Sequence, residues 1–172
     1  LRDLKNNSES EKFENELGLK NDVEGLCYDA ENERLLLACK ERSHTDKHKK
    51  RHRGIFSFNL MEKKLSEKPI YQIDEKELAE LLNEKRVAFK PSGIAIHPNS
   101  RDVYVISSAA KCLIVLNDKG DLKSAHHLPR SIFRQPEGIT FDDDLNLYIS
   151  NEGQDKKANL LKFTHHPCVQ QR

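Results

Sequence analysis

KPSGIAIHPNSRDVYVISS, residues Lys90 to Ser108, decides the fold, because the chain contains this stretch three times in altered form. Upstream it stands as NDVEGLCYDAENERLLLACKE, Asn21 to Glu41, and downstream as RQPEGITFDDDLNLYISNEG, Arg134 to Gly153. Each copy has a polar or proline-containing entry, a small or acidic residue, Gly, a short apolar run, a polar turn, a second apolar run, and a closing Ser, Asn or Glu. Such self-similarity marks one structural unit used repeatedly.

Working outward, apolar runs of strand length fall into blocks. The first block has Val23 to Tyr28, Arg34 to Cys39, Gly54 to Leu60 and Pro69 to Ile73. The second has Gly93 to His97, Val103 to Ser107, Cys112 to Leu116 and, after the NDKGD turn, Leu122 to Leu128. The third has Gly138 to Phe141, Leu145 to Ser150 and Leu160 to Phe163, with no fourth run. Short strands in blocks of four predict an all-β fold, a β-propeller of four-stranded antiparallel blades. A β-sandwich would account for the strands but not for the recurring Gly. The expected blades are 21–73, 90–128 and a partial 134–163, preceded by residues 1–20 as connector and end of an earlier blade and followed by a tail, 167–172. Propellers close with about 4 to 8 blades. The expectation is therefore the C-terminal part of a longer chain, in preference to a ring assembled from copies.

Between the first two blocks, DEKELAELLNEKRVAF predicts a short amphipathic helix on the outside of the sheet. Asp74 would cap it, with Glu77 three residues on and Leu78, Leu81 and Leu82 on one face.

Composition limits the function classes. With 29 basic and 28 acidic residues the formal charge is +1, which gives no global bias toward nucleic acid or anionic lipid. No apolar stretch approaches the roughly 20 residues that span a bilayer. Cys27, Cys39, Cys112 and Cys168 are too unevenly spaced for a zinc site. Hairpin pairing of Asp29 with Arg34 would set Cys27 opposite Leu36, which argues against a Cys27–Cys39 disulfide. No G-x-S-x-G, Walker, Rossmann or H-E-x-x-H pattern occurs. His97 reads as a packing or turn residue.

In a propeller blade the start of the first strand and the end of the second share one rim of the channel. That places Glu24 near Lys40 and Glu41, Ser92 near Ser107 and Ser108, and Glu137 near Asn151 and Glu152. Oxygen ligands converging from several blades suit Ca²⁺, which takes 6 to 8 oxygens at roughly 2.3 to 2.6 Å. The expected ligand set is Glu24, Glu137, Asn151, Glu41, Glu152 and Ser92, and the competing reading is a solvated channel mouth. The Asp142-Asp143-Asp144 run reads as a turn, because Leu147 stands where a calcium loop needs Gly.

The insertion from Arg42 to Gly54 carries Arg42, Lys47, Lys49, Lys50, Arg51 and Arg53, with His44, His48 and His52 at helical spacing. It is expected to be an exposed loop able to contact an anionic surface, and less suited to a metal because its cations repel one.

Together NDVEGLCYD, KLSEKPIY, KPSGIAIHP, FRQPEGITF and LYISNEG resemble the SdiA-regulated family of bacterial proteins, propellers related to NHL-repeat and strictosidine-synthase-like folds. The resemblance spans about residues 21–163 and matches the C-terminal part of the family domain. It implies a bacterial cell-envelope location. Calcium-dependent related propellers, such as gluconolactonases and paraoxonase-like enzymes, imply Glu24, Glu137 and Asn151 as ligands by position. Ser92 departs from the acid or amide those enzymes favour. The functions expected are thus a non-enzymatic binding module with no specific nucleic-acid binding or, alternatively, a calcium-dependent esterase, lactonase or phosphoesterase.

Overall fold

The computed structural model describes residues 11–42, 52–153 and 155–166. The first repeat forms β1 (Val23–Asp29) and β2 (Arg34–Arg42), followed by β3 (His52–Asn59), β4 (Lys64–Leu65) and β5 (Tyr71–Asp74). After α1 (Glu75–Leu81) come β6 (Gly93–Ile96), β7 (Val103–Ser107), β8 (Cys112–Leu116) and β9 (Leu122–His127). The last sheet holds β10 (Pro136–Phe141), β11 (Leu147–Asn151) and β12 (Asn159–Phe163). All pairing is antiparallel between sequence neighbours, except that β4 and β5 both pair with β3. The outer strand expected at Pro69 to Ile73 is thus divided: β4 covers Phe58 and Asn59, and β5 covers His52 to Ile55. Residues 11–20 contain no strand. Instead Phe13 packs on Phe58, with ring centroids 5.4 Å apart.

The middle sheet explains why Cys112 to Leu116 is apolar throughout. Side chains alternate between the two faces of a strand. Cys112, Ile114 and Leu116 join the core shared with the first sheet and α1, while Leu113 and Val115 join the core shared with β11. Both faces are covered, so all five residues are buried.

The innermost strands lie side by side, β1 on β6 and β6 on β10. This contact accounts for the glycine of the first two repeats. A Cβ on Gly25 would stand 3.0 Å from the Ile94 side chain of the next sheet, and one on Gly93 would stand 2.9 Å from the Glu137 carbonyl oxygen of the sheet after it. Real Cβ atoms do not approach a backbone oxygen that closely.

At the opposite end of β1 the sheets are tied by charge. Asp29, 2% exposed, accepts from Arg34 at 2.8 Å and also pairs with Arg101 of the β6–β7 turn. Arg101 reaches Glu31 at 3.0 Å as well. Arg34 donates to the Tyr71 hydroxyl at 3.3 Å, which donates to the Asp118 carbonyl at 2.9 Å. Glu33, Arg101 and Leu145, each just before its second strand or one residue from it, have positive φ, so the three hairpins turn alike. His97 occupies the place of Asp29 in the second repeat, and its Nδ1 accepts from the Asn99 and Ser100 amides at 3.3 and 3.1 Å. In the third, Asp142 accepts from the Asn146 amide at 2.8 Å, as a turn residue does.

Asp74 caps α1, accepting from the Lys76 amide at 2.7 Å. Leu81, expected on the packed face, is half exposed. Glu75, Leu78, Ala79 and Leu82 form the inward stripe, and at about 100° per residue Leu81 falls beyond its edge. Glu75 rather than Glu77 is the structural carboxylate. It accepts from the Phe89 amide at 3.0 Å and pairs with Arg53 at 2.9 Å.

That pair corrects the reading of the basic insertion. Arg53 is 7% exposed and also donates to the Lys40 carbonyl at 3.0 Å, so it is an internal partner and not a loop cation. His52 likewise begins β3, 3.8 Å from Asp74, and does not continue a helical histidine face. Residues 43–51, with Lys47, Lys49, Lys50, Arg51, His44 and His48, lie outside the described residues, as does Cys168. Cys27, Cys39 and Cys112 are free thiols, and Cys27 pairs with Leu36 across the hairpin while Cys39 pairs with Val23. Burial pushes the Cys39 thiol up to about 11 and that of Cys112 to about 12, as expected of inert packing groups. Among the described residues, no helix is long and apolar enough to cross a membrane.

Two outcomes test these contacts. Gly93→Ala is expected to cost about 1–3 kcal/mol in urea unfolding, because the added methyl overpacks a backbone contact. Asp29→Ala is expected to cost about 3 kcal/mol, since it strands two guanidinium groups. Burial alone would raise the Asp29 carboxyl, but the bonds from Asn32 and Arg34 and the charges of Arg34 and Arg101 hold it below its ordinary value of 3.8. Its stabilisation is therefore present above pH 3.8 and lost as pH falls through the lowered value. The stability gap between wild type and Asp29→Asn, followed by chemical denaturation against pH, closes in that acid range.

Candidate functional site

Two of the three rim positions are built by a local irregularity of the inner strand. The β1–β2 register shifts between Val23 and Gly25, and the β10–β11 register shifts between Pro136 and Gly138. Glu24 and Glu137 are the extra residues of these bulges, and a bulge re-aims a side chain out of the normal alternation. Glycine follows each: a Cβ on Gly25 would meet the Ala38 and Ile94 side chains, and one on Gly138 the Ser150 hydroxyl oxygen.

The two carboxylates face one cavity of about 530 Å³, together with Glu152. Three ammonium groups, Lys40, Lys90 and Lys111, line the same space. Lys40 donates to Glu24 at 2.6 Å and lies 3.6 Å from Asp22. Lys90 pairs with Glu41, and Gln135 donates to Glu152. The Lys111 ammonium donates to the Arg134 carbonyl.

Among the expected ligands, Glu24, Glu137, Glu152 and Ser92 are therefore brought to one cavity. Glu41 stands beside it, held by Lys90. Ser92 is 4% exposed and its hydroxyl is occupied, donating to the Pro136 carbonyl at 2.7 Å and accepting from the Ser108 amide at 3.1 Å. Asn151 is 3% exposed and donates to Asn159 Oδ1 at 2.9 Å, while its own side-chain Oδ1 has no partner among the described residues. It does not line the cavity. Among the described residues, no three His, Cys, Asp or Glu side chains converge closely enough to grip one ion as they stand.

A model of the SdiA-regulated family matches residues 4–154, most of the chain. The chain belongs to the SdiA-regulated family. No curated protein matches it. Among solved structures, a chain of a nidogen/laminin complex is similar at 17% identity and a TM-score of 0.56, over 83% of this chain and 44% of that one. A luciferin-regenerating enzyme is similar at 14% identity and a TM-score of 0.52, over 84% of this chain and 45% of that one. A protein of unknown function from Bacteroides thetaiotaomicron is similar at 17% identity and a TM-score of 0.53, over 81% of this chain and 32% of that one. The SdiA-regulated chain thus spans less than half the length of these structures, and at such identity the likeness shows the fold alone: all-β, propeller-like, with antiparallel sheets and one short helix.

Lys90, Lys111 and Gln135 were not legible as rim residues of this family member. Lys90 and Gln135 precede the repeating Gly by a few positions, and Lys111 sits in the β7–β8 turn with positive φ. The three are neighbours only because adjacent blades converge at the channel.

The electrostatics of the rim are uneven. The Lys40 ammonium is held above its ordinary value, first by its bond to Glu24. The Glu41 carboxyl is held below its own, first by Lys90. Glu137 is pushed up, first by burial; the bond from Gln135 opposes this, and the nearby Glu24 and Glu152 charges add to it. A carboxyl raised in the folded state contributes stability below its unfolded value of 4.5, and that contribution is lost as pH rises through the raised value. Glu137→Gln is therefore expected to melt at least as high as wild type at pH 7, and the two should converge as the pH drops below 4.5. Paired thermal melts across this range check it.

Proposed function

We propose that this chain is part of a non-enzymatic β-propeller binding module of the bacterial cell envelope, with the charged rim cavity as its ligand site. The observation that carries the reading is the convergence of three carboxylates and three ammonium groups on one cavity of about 530 Å³. Ligand pockets commonly fall within about 300–1,000 Å³. A balanced set of fixed charges favours a small molecule carrying both signs, or one rich in hydroxyl groups, over a bare ion of either sign. The envelope assignment rests on membership of the family.

Calcium is the second reading, supported by Glu24, Glu137 and Glu152 facing the same space. Bound there, Ca²⁺ would take carboxylate oxygens and neutralise the repulsion that raises Glu137. Lys40 already neutralises Glu24 at 2.6 Å, and Lys90 and Lys111 oppose a further cation, so the polar-ligand reading ranks first. A calcium-dependent hydrolase ranks below both. Its cation would have to displace these amines, and the buried Ser92 hydroxyl is already engaged on both sides.

Calorimetry and thermal shift with amino acids, uronic acids and Ca²⁺, on wild type, Glu24→Gln and Glu137→Gln, test the proposal. A zwitterionic or polyhydroxy ligand is expected to bind wild type and to lose about tenfold or more in affinity in each variant, the size of one charged hydrogen bond. Tight Ca²⁺ binding abolished in both variants would make the rim a cation site instead. Turnover of lactones, aryl esters or phosphate esters that chelator abolishes would replace the binding module with the hydrolase.

A further inference from the structure

A second cavity, of about 460 Å³, shares Ala109 and Lys111 with the rim cavity but has the opposite character. Its charged lining is Arg86 from the segment after α1, Lys111 from the β7–β8 turn, and Arg130 after β9, against a single carboxylate, Glu84. Glu84 faces His127 across 3.6 Å. The Lys111 ammonium donates to the Arg134 backbone carbonyl, a neutral partner, and among the described residues it forms no ion pair, Glu137 acting on it only from a longer distance. Among the described residues, neither the Arg86 nor the Arg130 guanidinium pairs with a carboxylate, and both residues are exposed at the cavity wall.

We propose that this cavity binds the phosphoryl group of a small phosphorylated molecule. Two guanidinium forks and an ammonium supply three positive charges, of which a carboxylate ligand would offset one and a phosphate dianion about two. Guanidinium presents paired donors that match phosphate oxygens, whereas lysine acts as a point charge. The Lys111 ammonium is held below its ordinary value, first by burial and then by Arg130, and Glu137 opposes this. An anion among these groups would relieve the repulsion between Lys111 and Arg130. The three cations come from three separate connections, so the site exists only when the second sheet, the segment leading into it and the segment leaving it are packed together. The carboxylates Glu24 and Glu152 line the rim cavity and not this one.

The test is calorimetry of the full chain at low salt with inorganic phosphate, a hexose monophosphate and, as a monoanion control, acetate. Phosphate and the hexose monophosphate are expected to bind saturably and acetate not to. Arg86→Gln and Arg130→Gln are each expected to weaken phosphate about tenfold. Arg130→Lys, which keeps the charge and loses the fork, should fall between wild type and Arg130→Gln. Added NaCl should weaken binding further, as screening requires. Glu24→Gln should leave phosphate affinity unchanged, which separates this site from the rim. Both arginines are exposed, so circular dichroism is expected to show native folding in every variant. The proposal is overturned if phosphate shows no saturable binding below about 10 mM, if acetate binds as tightly, or if both Arg86→Gln and Arg130→Gln bind phosphate like wild type.

Discussion

Neighbouring sheets meet at their innermost strands through glycines that leave no room for a Cβ, and most of the structure depends on that contact. Gly25 lies against Gly93 and Ile94, and Gly93 lies against the Glu137 carbonyl. Only a residue without Cβ can bring one backbone so near the next. At Gly25 the close contact coincides with a bulge, and a second bulge precedes Gly138; the bulged residues just before these glycines, Glu24 and Glu137, face the rim cavity. At β1 close packing and site construction are therefore one device: the bulge beside Gly25, where β1 meets the next sheet, also presents Glu24.

The opposite end of β1 is fastened by a different force. Asp29 is deeply buried, and a buried charge is costly unless its partners are close and well aligned. Arg34 comes from its own hairpin and Arg101 from the next, so the carboxylate is satisfied only when the two sheets are docked. Apolar packing between the sheets, through Leu36, Ile94 and Val105 among others, supplies attraction without choosing an angle. The glycine contact at one end and the shared carboxylate at the other restrict that angle, and the angle sets where the rim side chains meet.

How far the sequence could be read follows from which of these terms are local. The strand blocks and their antiparallel pairing were largely legible, because short apolar runs bounded by turns and a repeating Gly are local signals, while the divided outer strand of the first sheet was not. Glu24 and Glu137 were legible as rim residues because they hold one register position in two repeats. Ser92 holds that position too, yet its hydroxyl is taken by the Pro136 carbonyl of the next blade, a partner 44 residues away. Arg53 closes a run of cations, and nothing nearby in sequence reveals Glu75 as the buried group it neutralises. Leu81 was misplaced for a geometric reason: a helix of seven residues has one narrow packed stripe, and Glu75, which looks like a surface residue, belongs to it.

The two cavities differ in what a sequence reader could have seen and in what they can hold. Rim charges arise within the repeats, so every blade that places a carboxylate there also places the end of its second strand nearby, and Lys40 arrives opposite Glu24 by strand pairing. Compensation is thus built into the first repeat, whereas in the third the corresponding strand end brings Glu152 beside Glu137. Arg86, Lys111 and Arg130 instead sit in the connections around one blade, where no pairing rule brings an acid to each base. Uncompensated charge therefore collects outside the repeating unit, in the segments free to differ from blade to blade. Because Lys111 lines both spaces, a ligand long enough to leave its anionic end among the arginines would carry the rest of its structure toward the balanced rim.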